Sequence, residues 1–218
     1  MKKFLGAGSA SAIAAALLLS VGGPGQALAQ QVNDLPVVQA VVRTATAVST
    51  PASAVPSAIQ SADAAVAREA GVLQRAGWPL YALVDKFSAG APLTDEANCI
   101  AVAVYHEARG ESLEGQLAVA KVIMNRATSG KYPTSWCGVV KQPWQFSFVN
   151  PRTATMPSVD EASASWRKAL GVTRLAVANA VSSVPADCLW YHADYVAPSW
   201  GRRLTRVEKI GAHIFYRS

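Results

Sequence analysis

The sequence predicts an α+β fold with a helical core and a small antiparallel β-sheet near the C-terminal end. Apolar residues recur at helical spacing over residues 94–108 and 114–128. A helix-capping pattern starts at Ser158. Two aromatic-rich segments, 189–196 and 213–217, alternate in the manner of strands.

The first core helix is predicted to begin at Thr94. A hydroxyl side chain there, followed by Asp95 and Glu96, is typical of a helix N-terminus, where side-chain oxygens accept from free N–H groups. The helix should end near Ala108 and carry Glu107 on its final turn. Its buried face is expected to comprise Ile100, Ala101, Val104 and Ala108.

A polar elbow over residues 109–113 leads to the second core helix, which Ser112 is placed to cap. This helix, over 114–128, is apolar around most of its circumference, as expected of a central helix. Its clear polar positions are Gln116, Lys121 and Asn125. We expect the buried amides among them to be hydrogen-bonded.

An irregular segment is predicted over residues 129–157. Its aromatic residues form either core or an exposed wall on which sugars stack; they are Trp136, Trp144, Phe146 and Phe148. The capping box at 158–161 then predicts a helix ending near Val181. Its inward face is expected to comprise Trp166, Ala169, Leu170, Thr173, Val177 and Ala180.

The two predicted strands, 189–196 and 213–217, are expected to pair with each other. Residues 200–209 would form the connection between them.

The first 29 residues have the pattern of a secretory signal peptide. Lys2 and Lys3 precede an apolar run rich in Ala and Leu, and Ala27-Leu28-Ala29 resembles a cleavage site before Gln30. An uncleaved membrane anchor is the alternative. We therefore expect export to the periplasm or cell envelope, with no membrane span once the signal is removed.

Residues 30–92 are interpreted as a low-complexity linker, since residues 30–59 are mainly Ala, Val, Thr, Ser and Pro. One or two short helices are predicted within residues 61–87, where apolar residues recur between Gly71, Gly77 and Pro79. The domain proper is expected over residues 93–218.

Three cysteines in an exported chain allow at most one intrachain disulfide. Cys99 lies at the start of the first core helix, and Cys137 lies a few residues after the second. In an antiparallel helical hairpin those two ends meet. We therefore predict a disulfide between Cys99 and Cys137, with Cys188 unpaired.

The chain has a net charge of +6, which becomes +4 when Lys2 and Lys3 are removed. A modest positive charge is compatible with an anionic polymer such as peptidoglycan or nucleic acid. Export and the lack of a basic stripe interleaved with aromatic residues argue against nucleic acid.

Glu107 is the residue that points most directly to chemistry. It lies where an apolar helix meets a polar, Gly-containing turn, so its carboxyl can be half-buried and still meet a ligand. Partial burial raises a carboxyl's pKa, and a carboxyl that is still protonated can serve as a general acid. His106-Glu107 also opens like the zinc pattern H-E-x-x-H, but Gly110 occupies the position of the second histidine.

Residues 107–126, EARGESLEGQLAVAKVIMNR, resemble the signature of the SleB-like cell-wall hydrolases, the spore-cortex-lytic enzyme family. Further blocks of the resemblance follow in order within residues 93–218: Tyr132-Pro133, 137–140, Gln145-Phe146-Ser147, Tyr191-His192-Ala193 and 210–216. The resemblance implies a lysozyme-like fold that cleaves peptidoglycan glycan with one essential Glu, as lytic transglycosylases do. There the sugar's own 6-hydroxyl attacks, so no second carboxylate is required.

On this interpretation Glu107 is the catalytic acid and then base. The expected substrate-binding residues are Gln116, Gln145, Phe146, Tyr191, His192 and Tyr195. A structural role for His192 is the alternative. His106 replaces the aromatic residue or Gly usual in the family and is expected to pack or lie on the surface. Glu111 is a candidate partner carboxylate, but capping the second helix or pairing with Arg109 is favoured.

The loop around Gln145 departs from the family. Many relatives place cysteines there, whereas this chain has Trp144 before the block and Val149-Asn150 after it. We therefore expect this loop to be less rigid than in those relatives.

The predicted function is that of an exported peptidoglycan hydrolase that cleaves glycan strands as a monomer, without metal or other cofactor. A non-catalytic wall-binding module is one alternative, and an amidase or peptidase is another. The last class needs zinc or a Cys-His pair, and neither Cys137 nor Cys188 has a nucleophile signature. Whether water or the sugar hydroxyl attacks is left open.

Overall fold

The computed structural model describes residues 54–218, with side chains from Ala58 onward. The predicted signal peptide and residues 30–53 of the predicted linker lie outside these residues. All described residues belong to one compact unit. Between Ala54 and Ser218, no helix combines the length and apolar character needed to cross a membrane.

About half of the described residues are helical, and three strands follow the last α-helix. The elements in order are α1 (Ala54–Arg75), α2 (Leu80–Lys86), α3 (Asp95–Ala108), α4 (Leu113–Thr128), α5 (Trp136–Val140), α6 (Ala164–Val177), β1 (Cys188–Ala193), a short 3₁₀ helix (Ser199–Arg203), β2 (Thr205–Ile210) and β3 (His213–Arg217). This arrangement confirms the α+β class, with a helical core and a small antiparallel sheet.

Helices α3 and α4 form the central hairpin and match the predicted elements closely. Thr94 Oγ1 accepts from Ala97 N at 3.2 Å, and Ser112 Oγ accepts from Gly115 N at 3.2 Å, so both predicted caps are present. Their shared interior includes fully buried residues from both helices, among them Ile100, Val104, Leu117 and Ile123. The hairpin therefore positions the polar elbow between the two helices.

The segment before α3 is more ordered than the linker interpretation implied. Two helices are present there, as predicted: α2 is short, whereas α1 is longer than expected, with 22 residues, and continues through Gly71. It ends before Gly77, which has a φ of +82°, and Pro79 precedes α2. Buried Ala70 and Val84 belong to the main core, so the compact unit extends N-terminal to residue 93.

Helix α6 begins at Ala164, six residues after the predicted capping serine, so the predicted start is wrong. Ser163 is the actual N-cap, because its Oγ accepts from Trp166 N at 3.1 Å. Asp160 instead forms a local turn in which its Oδ1 accepts from Ala162 N. The helix packs tightly on α2: a Cβ on Gly171 would collide with the carbonyl of Val84.

The predicted irregular segment contains one short helix, α5, which includes Cys137. Cys137 forms a disulfide with Cys99, with their Cα atoms 5.2 Å apart. This is the pairing expected where the two ends of the α3–α4 hairpin meet. Cys188 is the unpaired cysteine, and burial raises the pKa of its thiol to about 11.

The sheet has the strand order β1-β3-β2, with both pairings antiparallel. The predicted pairing of the two aromatic-rich segments is present, with Tyr191 opposite Phe215 and Ala193 opposite His213. The prediction missed β2, which lies within the expected connection. That strand is an edge strand whose residues are all exposed or half-buried, so it lacks the apolar alternation by which strands are recognised.

Candidate active site

Glu107 lies on the last turn of α3, beside the elbow. Its side chain is half-buried. Within residues 54–218 its carboxyl has no hydrogen-bond or ion-pair partner that meets ordinary distance limits. Burial therefore raises the pKa of Glu107 above its ordinary value, because nothing nearby compensates the charged form.

The Glu107 carboxyl opens into a concave site, the Glu107 cleft, of about 350 Å³. The cleft forms where the C-terminal end of α3 meets α4, the 145–147 loop and the sheet. Polar and aromatic groups dominate its walls. The lining residues are His106, Glu107, Arg126, Gln145, Ser147, Tyr191, His192, Ala193, Tyr195 and His213.

Tyr191 lies on β1 and faces the same cleft. Burial raises the pKa of its phenol strongly, and the negative charge of Glu107 raises it further, while Arg126 acts in the opposite direction. The phenol is therefore a protonated hydrogen-bond donor close to Glu107 at physiological pH.

Arg126 forms the floor of the cleft on α4, although it is only 5% exposed. Its Nε donates to the carbonyl oxygen of Leu189 at 2.8 Å, and its Nη1 donates to Gln145 Oε1 at 3.2 Å. Its guanidinium lies 5.0 Å from the ring centroid of Tyr132 and 6.0 Å from that of Phe146. These contacts hold one fixed positive charge beneath the cleft.

The second carboxyl of the elbow, Glu111, has a different environment. Its Oε2 accepts from Ala212 N at 2.8 Å, which ties the elbow to the turn between β2 and β3. Its Oε1 lies 4.0 Å from His213 Nδ1. Burial lowers the pKa of His213 even though Glu111 acts to raise it, so this contact is not an ion pair at neutral pH.

The chain is similar to known cell-wall hydrolases. Residues 110–216 match the family model described as Cell Wall Hydrolase. The spore cortex-lytic enzyme of Bacillus subtilis (strain 168) is 35% identical over 126 residues, which cover 56% of this chain and 37% of that protein. That of Oceanobacillus iheyensis is 33% identical over 124 residues, covering 56% and 41%.

The chain belongs to the SleB-like cell-wall hydrolase family. It spans about two fifths of the length of these curated relatives. A solved structure, the catalytic domain of a germination-specific lytic transglycosylase SleB from Bacillus anthracis, matches with 29% identity. It has a TM-score of 0.45 and covers 59% of this chain and 99% of that one. Glu107 lies three residues before the segment that matches the family model.

Five of the seven predicted catalytic and substrate-binding residues of this SleB-like domain line the Glu107 cleft. They are Glu107, Gln145, Tyr191, His192 and Tyr195. Tyr195 is 86% exposed at the rim. The ring of His192 is fully hydrogen-bonded: Nδ1 donates to the Ala193 carbonyl and Nε2 accepts from the Tyr216 hydroxyl, each at 2.9 Å. That arrangement favours the structural alternative for His192.

Gln116 and Phe146 are not among the cleft residues, which argues against the predicted sugar contacts. Gln116 is 2% exposed, and its Nε2 donates to the Glu111 carbonyl at 3.1 Å, so its amide holds the elbow. Phe146 is 3% exposed and packs in the core. Both side chains are too deeply buried to reach a bound polymer. Asn125, the other buried amide of α4, donates to Pro185 and Cys188 carbonyls.

His106 packs as predicted, but it also lines the cleft. Its ring stacks on Phe148 at 5.0 Å and contacts Tyr105 edge-on at the same distance. Burial, with a smaller contribution from Arg109, lowers the pKa of His106. The predicted pairing of Glu111 with Arg109 is wrong: Arg109 instead lies 5.1 Å from the ring of Tyr105, while Glu111 binds Ala212.

Arg126, Ser147 and His213 line the cleft but were absent from the sequence-based set. Arg126 had a detectable signal, since it is a charged residue on a helix predicted to be central, where an unpaired charge is costly. Ser147 and His213 lie in blocks that carry the family resemblance. Nothing in their local sequence indicates that the hairpin and the loop meet beside Glu107.

The described residues contain no group of three or more His, Cys, Asp or Glu side chains arranged to hold a metal ion. The buried Cys188 thiol, with its raised pKa, is a poor nucleophile. The burial of Cys188 weighs against a peptidase that uses this thiol as its nucleophile. The expectation that the enzyme uses no cofactor stays a prediction, which insensitivity to chelators and thiol blockers would support.

Proposed function

We propose that this protein is an exported peptidoglycan hydrolase that cleaves glycan strands, with Glu107 as the single general acid and then base. Family membership supports action on the cell wall. The observation that carries the catalytic assignment is the state of Glu107: its carboxyl is half-buried, unpartnered among the described residues, and open to a concave polar site.

The chemistry follows from that state. Cleaving a glycosidic bond requires a proton on the leaving oxygen as positive charge develops at the sugar carbon. A carboxyl with a raised pKa holds that proton nearer neutral pH, and after donating it becomes the base for the next step. The protonated Tyr191 phenol beside it is a donor available to stabilise the resulting carboxylate.

The cleft offers little support for a second catalytic carboxylate. Glu107 is the only carboxyl among its described lining residues, and Glu111 is engaged with Ala212. Hydrolases that use two carboxylates place both beside the scissile bond. A mechanism in which a sugar hydroxyl attacks needs only one, so the arrangement supports a lytic transglycosylase over a muramidase.

The test compares wild-type protein with Glu107→Gln on purified sacculi. Loss of soluble muropeptide release, with unchanged circular dichroism and thermal midpoint no lower than wild type, is the expected result. Glu161→Gln is the matched control, because Glu161 is exposed and outside the cleft. Retained activity in Glu107→Gln would end the assignment.

Mass spectrometry of the released fragments separates the two reaction types. Anhydro ends identify attack by the sugar hydroxyl, and reducing ends identify attack by water. We expect anhydro ends. Reducing ends alone would convert the proposal to a muramidase, in which water attacks in place of the sugar hydroxyl.

A non-catalytic wall-binding module remains the second candidate, supported by two strongly exposed aromatic residues. Tyr195 at the cleft rim is 86% exposed and Trp144 beside Gln145 is 83% exposed, and such rings are available to stack on sugars. Sacculus binding without turnover, unaltered by Glu107→Gln, would favour that function. Export to the periplasm or cell envelope is part of either proposal.

A further inference from the structure

The side-chain amide of Gln145 has a defined orientation. Arg126 Nη1 lies 3.2 Å from Gln145 Oε1, and a guanidinium can only donate. The amide oxygen must therefore face Arg126. The amide NH₂ group, which has no partner among the described residues, is left for whatever occupies the Glu107 cleft.

Arg126 is itself held rigidly, so it can impose this orientation. It is 5% exposed, its Nε donates to the Leu189 carbonyl of β1, and it lies against the rings of Tyr132 and Phe146. A buried guanidinium with these contacts has little freedom to release its partner. Gln145, by contrast, is exposed. Arg126 is therefore the residue that fixes the orientation of the Gln145 amide.

We propose that Gln145 is a specificity-determining residue whose amide NH₂ donates a hydrogen bond to an acceptor oxygen of the glycan. Arg126 is the positioning residue that orients it. This inference rests on the proposed function, since it assigns the substrate chemistry of the same cleft. The acceptor is either the carbonyl oxygen of an N-acetyl group or a hydroxyl or ether oxygen of the sugar, because each accepts from an amide N–H.

Two substitutions of Gln145 test the donor. Gln145→Glu keeps an acceptor for Arg126 but presents no N–H to the cleft, and Gln145→Met removes both functions at similar size. On soluble, peptide-free glycan strands, we expect each variant to raise KM about 3- to 10-fold with little change in kcat, the usual size for one lost hydrogen bond. Gln74→Glu, an exposed change on α1, is the matched control and should equal wild type.

A second substrate identifies the acceptor. If the acceptor is the N-acetyl carbonyl, the KM of wild-type protein should rise by the same factor on de-N-acetylated strands. Gln145→Met should then cause no further rise in KM on that substrate. If the acceptor is a hydroxyl or ether oxygen, the loss caused by Gln145→Met is the same on both substrates. Wild-type KM for both Gln145 variants on both substrates would overturn the proposal.

A double-mutant cycle tests the positioning role of Arg126. Arg126→Lys keeps the charge but cannot bridge the Leu189 carbonyl and Gln145 as the guanidinium fork does. We expect Arg126→Lys to raise KM in protein that retains Gln145 and to leave the KM of Gln145→Met unchanged. Any fall in thermal midpoint should be the same in both proteins. Additive effects on KM would overturn the positioning role.

These outcomes are separable from failure of the proposed function. If wild-type protein releases no muropeptides, the glycosidase proposal fails. The role of Gln145 is then tested by binding, with the dissociation constant for glycan strands measured by calorimetry in place of KM. The same factors are then expected in the dissociation constant. An active wild type with unaffected Gln145 variants contradicts this inference alone.

Discussion

The elbow between α3 and α4 carries two carboxyls four residues apart, and the structure gives them opposite environments. Glu107, on the α3 side, is half-buried, has no partner among the described residues, and opens into the cleft. Glu111, on the α4 side, accepts from Ala212 N and lies 4.0 Å from His213. One carboxyl is left free to react, and the other ties the elbow to the sheet.

The comparison shows that the role of each carboxyl depends on which groups the fold brings to it. An unpartnered, partly dry carboxyl resists ionisation, which favours proton transfer. A carboxyl that accepts a backbone hydrogen bond instead holds two segments of the chain together. The same residue type is therefore left unpartnered in the cleft on one side of the elbow and ties the elbow to the sheet on the other.

The largest expected effect lies in activity. Glu107→Gln should reduce muropeptide release on the order of 10³-fold, because it removes the transferable proton. Glu111→Gln should retain activity within about tenfold, since it lies outside the cleft. The measurement is muropeptide release from sacculi by equal amounts of folded wild-type, Glu107→Gln and Glu111→Gln protein. Equal losses in the two variants would assign Glu111 to the chemistry and abolish the contrast.

The next effect lies in stability. Glu111→Ala should lower the free energy of unfolding by about 1–3 kcal/mol, because it leaves Ala212 N without its acceptor. Denaturant unfolding at neutral pH measures the change. Glu161→Ala, at an exposed site, is expected to change stability by less than about 0.5 kcal/mol. If both variants match wild type, the contact with Ala212 does not hold the elbow.

A smaller effect is expected at the turn that Glu111 contacts. Gly211 has a φ of +58°, and a Cβ there would collide with Glu111 Oε2. Gly211→Ala should therefore cost about 1–2 kcal/mol. Gly130→Ala is the matched control, because its φ of +71° imposes similar backbone strain with nothing within 4 Å of the added Cβ.

The excess cost of Gly211→Ala over Gly130→Ala measures the displaced carboxyl. That excess should disappear in a Glu111→Ala background, where the carboxyl is already absent. Equilibrium unfolding is measured for Gly211→Ala and Gly130→Ala, each with and without Glu111→Ala. If Gly211→Ala still costs more than Gly130→Ala in the Glu111→Ala background, the added Cβ does not collide with the Glu111 carboxyl.

The smallest effect is a pH-dependent gain in stability from Glu107→Gln. The pKa of Glu107 is higher in the folded protein than in the unfolded chain, so wild-type protein loses stability as pH rises above the ordinary value of 4.5. The amide never ionises. The variant should therefore match wild type near pH 4 and become progressively more stable than wild type as pH rises through the window to the folded pKa.

Thermal unfolding of wild type and Glu107→Gln across pH 4–8 checks this expectation. The gain should level off once Glu107 is ionised in both states. A gain that is largest at pH 4 and falls as pH rises would mean that the folded protein stabilises the ionised carboxyl. That result would contradict the unpartnered state of Glu107.

The parts of the fold that were predictable have local causes. Thr94 and Ser112 cap α3 and α4 as expected, because a side-chain oxygen and an N–H three residues ahead lie on one turn. The start of α6 was predicted wrongly because Ser158 was taken as its cap, whereas Asp160 forms a local turn and Ser163 caps the helix. Local chemistry alone does not select between such competitors.

The site residues also divide into those recognisable from local sequence and those brought together only by the fold. Glu107 was recognisable because it follows an apolar helix and precedes a Gly-containing turn. Arg126 and His213 were missed as cleft residues because each reaches Glu107 only after α4 and the β2–β3 hairpin pack beside α3. Gln116 was assigned to the substrate, whereas its amide binds the Glu111 carbonyl inside the elbow.

The sequence by itself determined the central hairpin, its caps and the presence of a half-buried carboxyl at the elbow, since these depend on spacing along one or two turns of chain. Only the tertiary structure decided which carboxyl has a partner, where the amide of Gln145 faces and that β2 joins the sheet. Those outcomes depend on contacts between distant segments, whose hydrogen bonds and desolvation arise only when the segments meet.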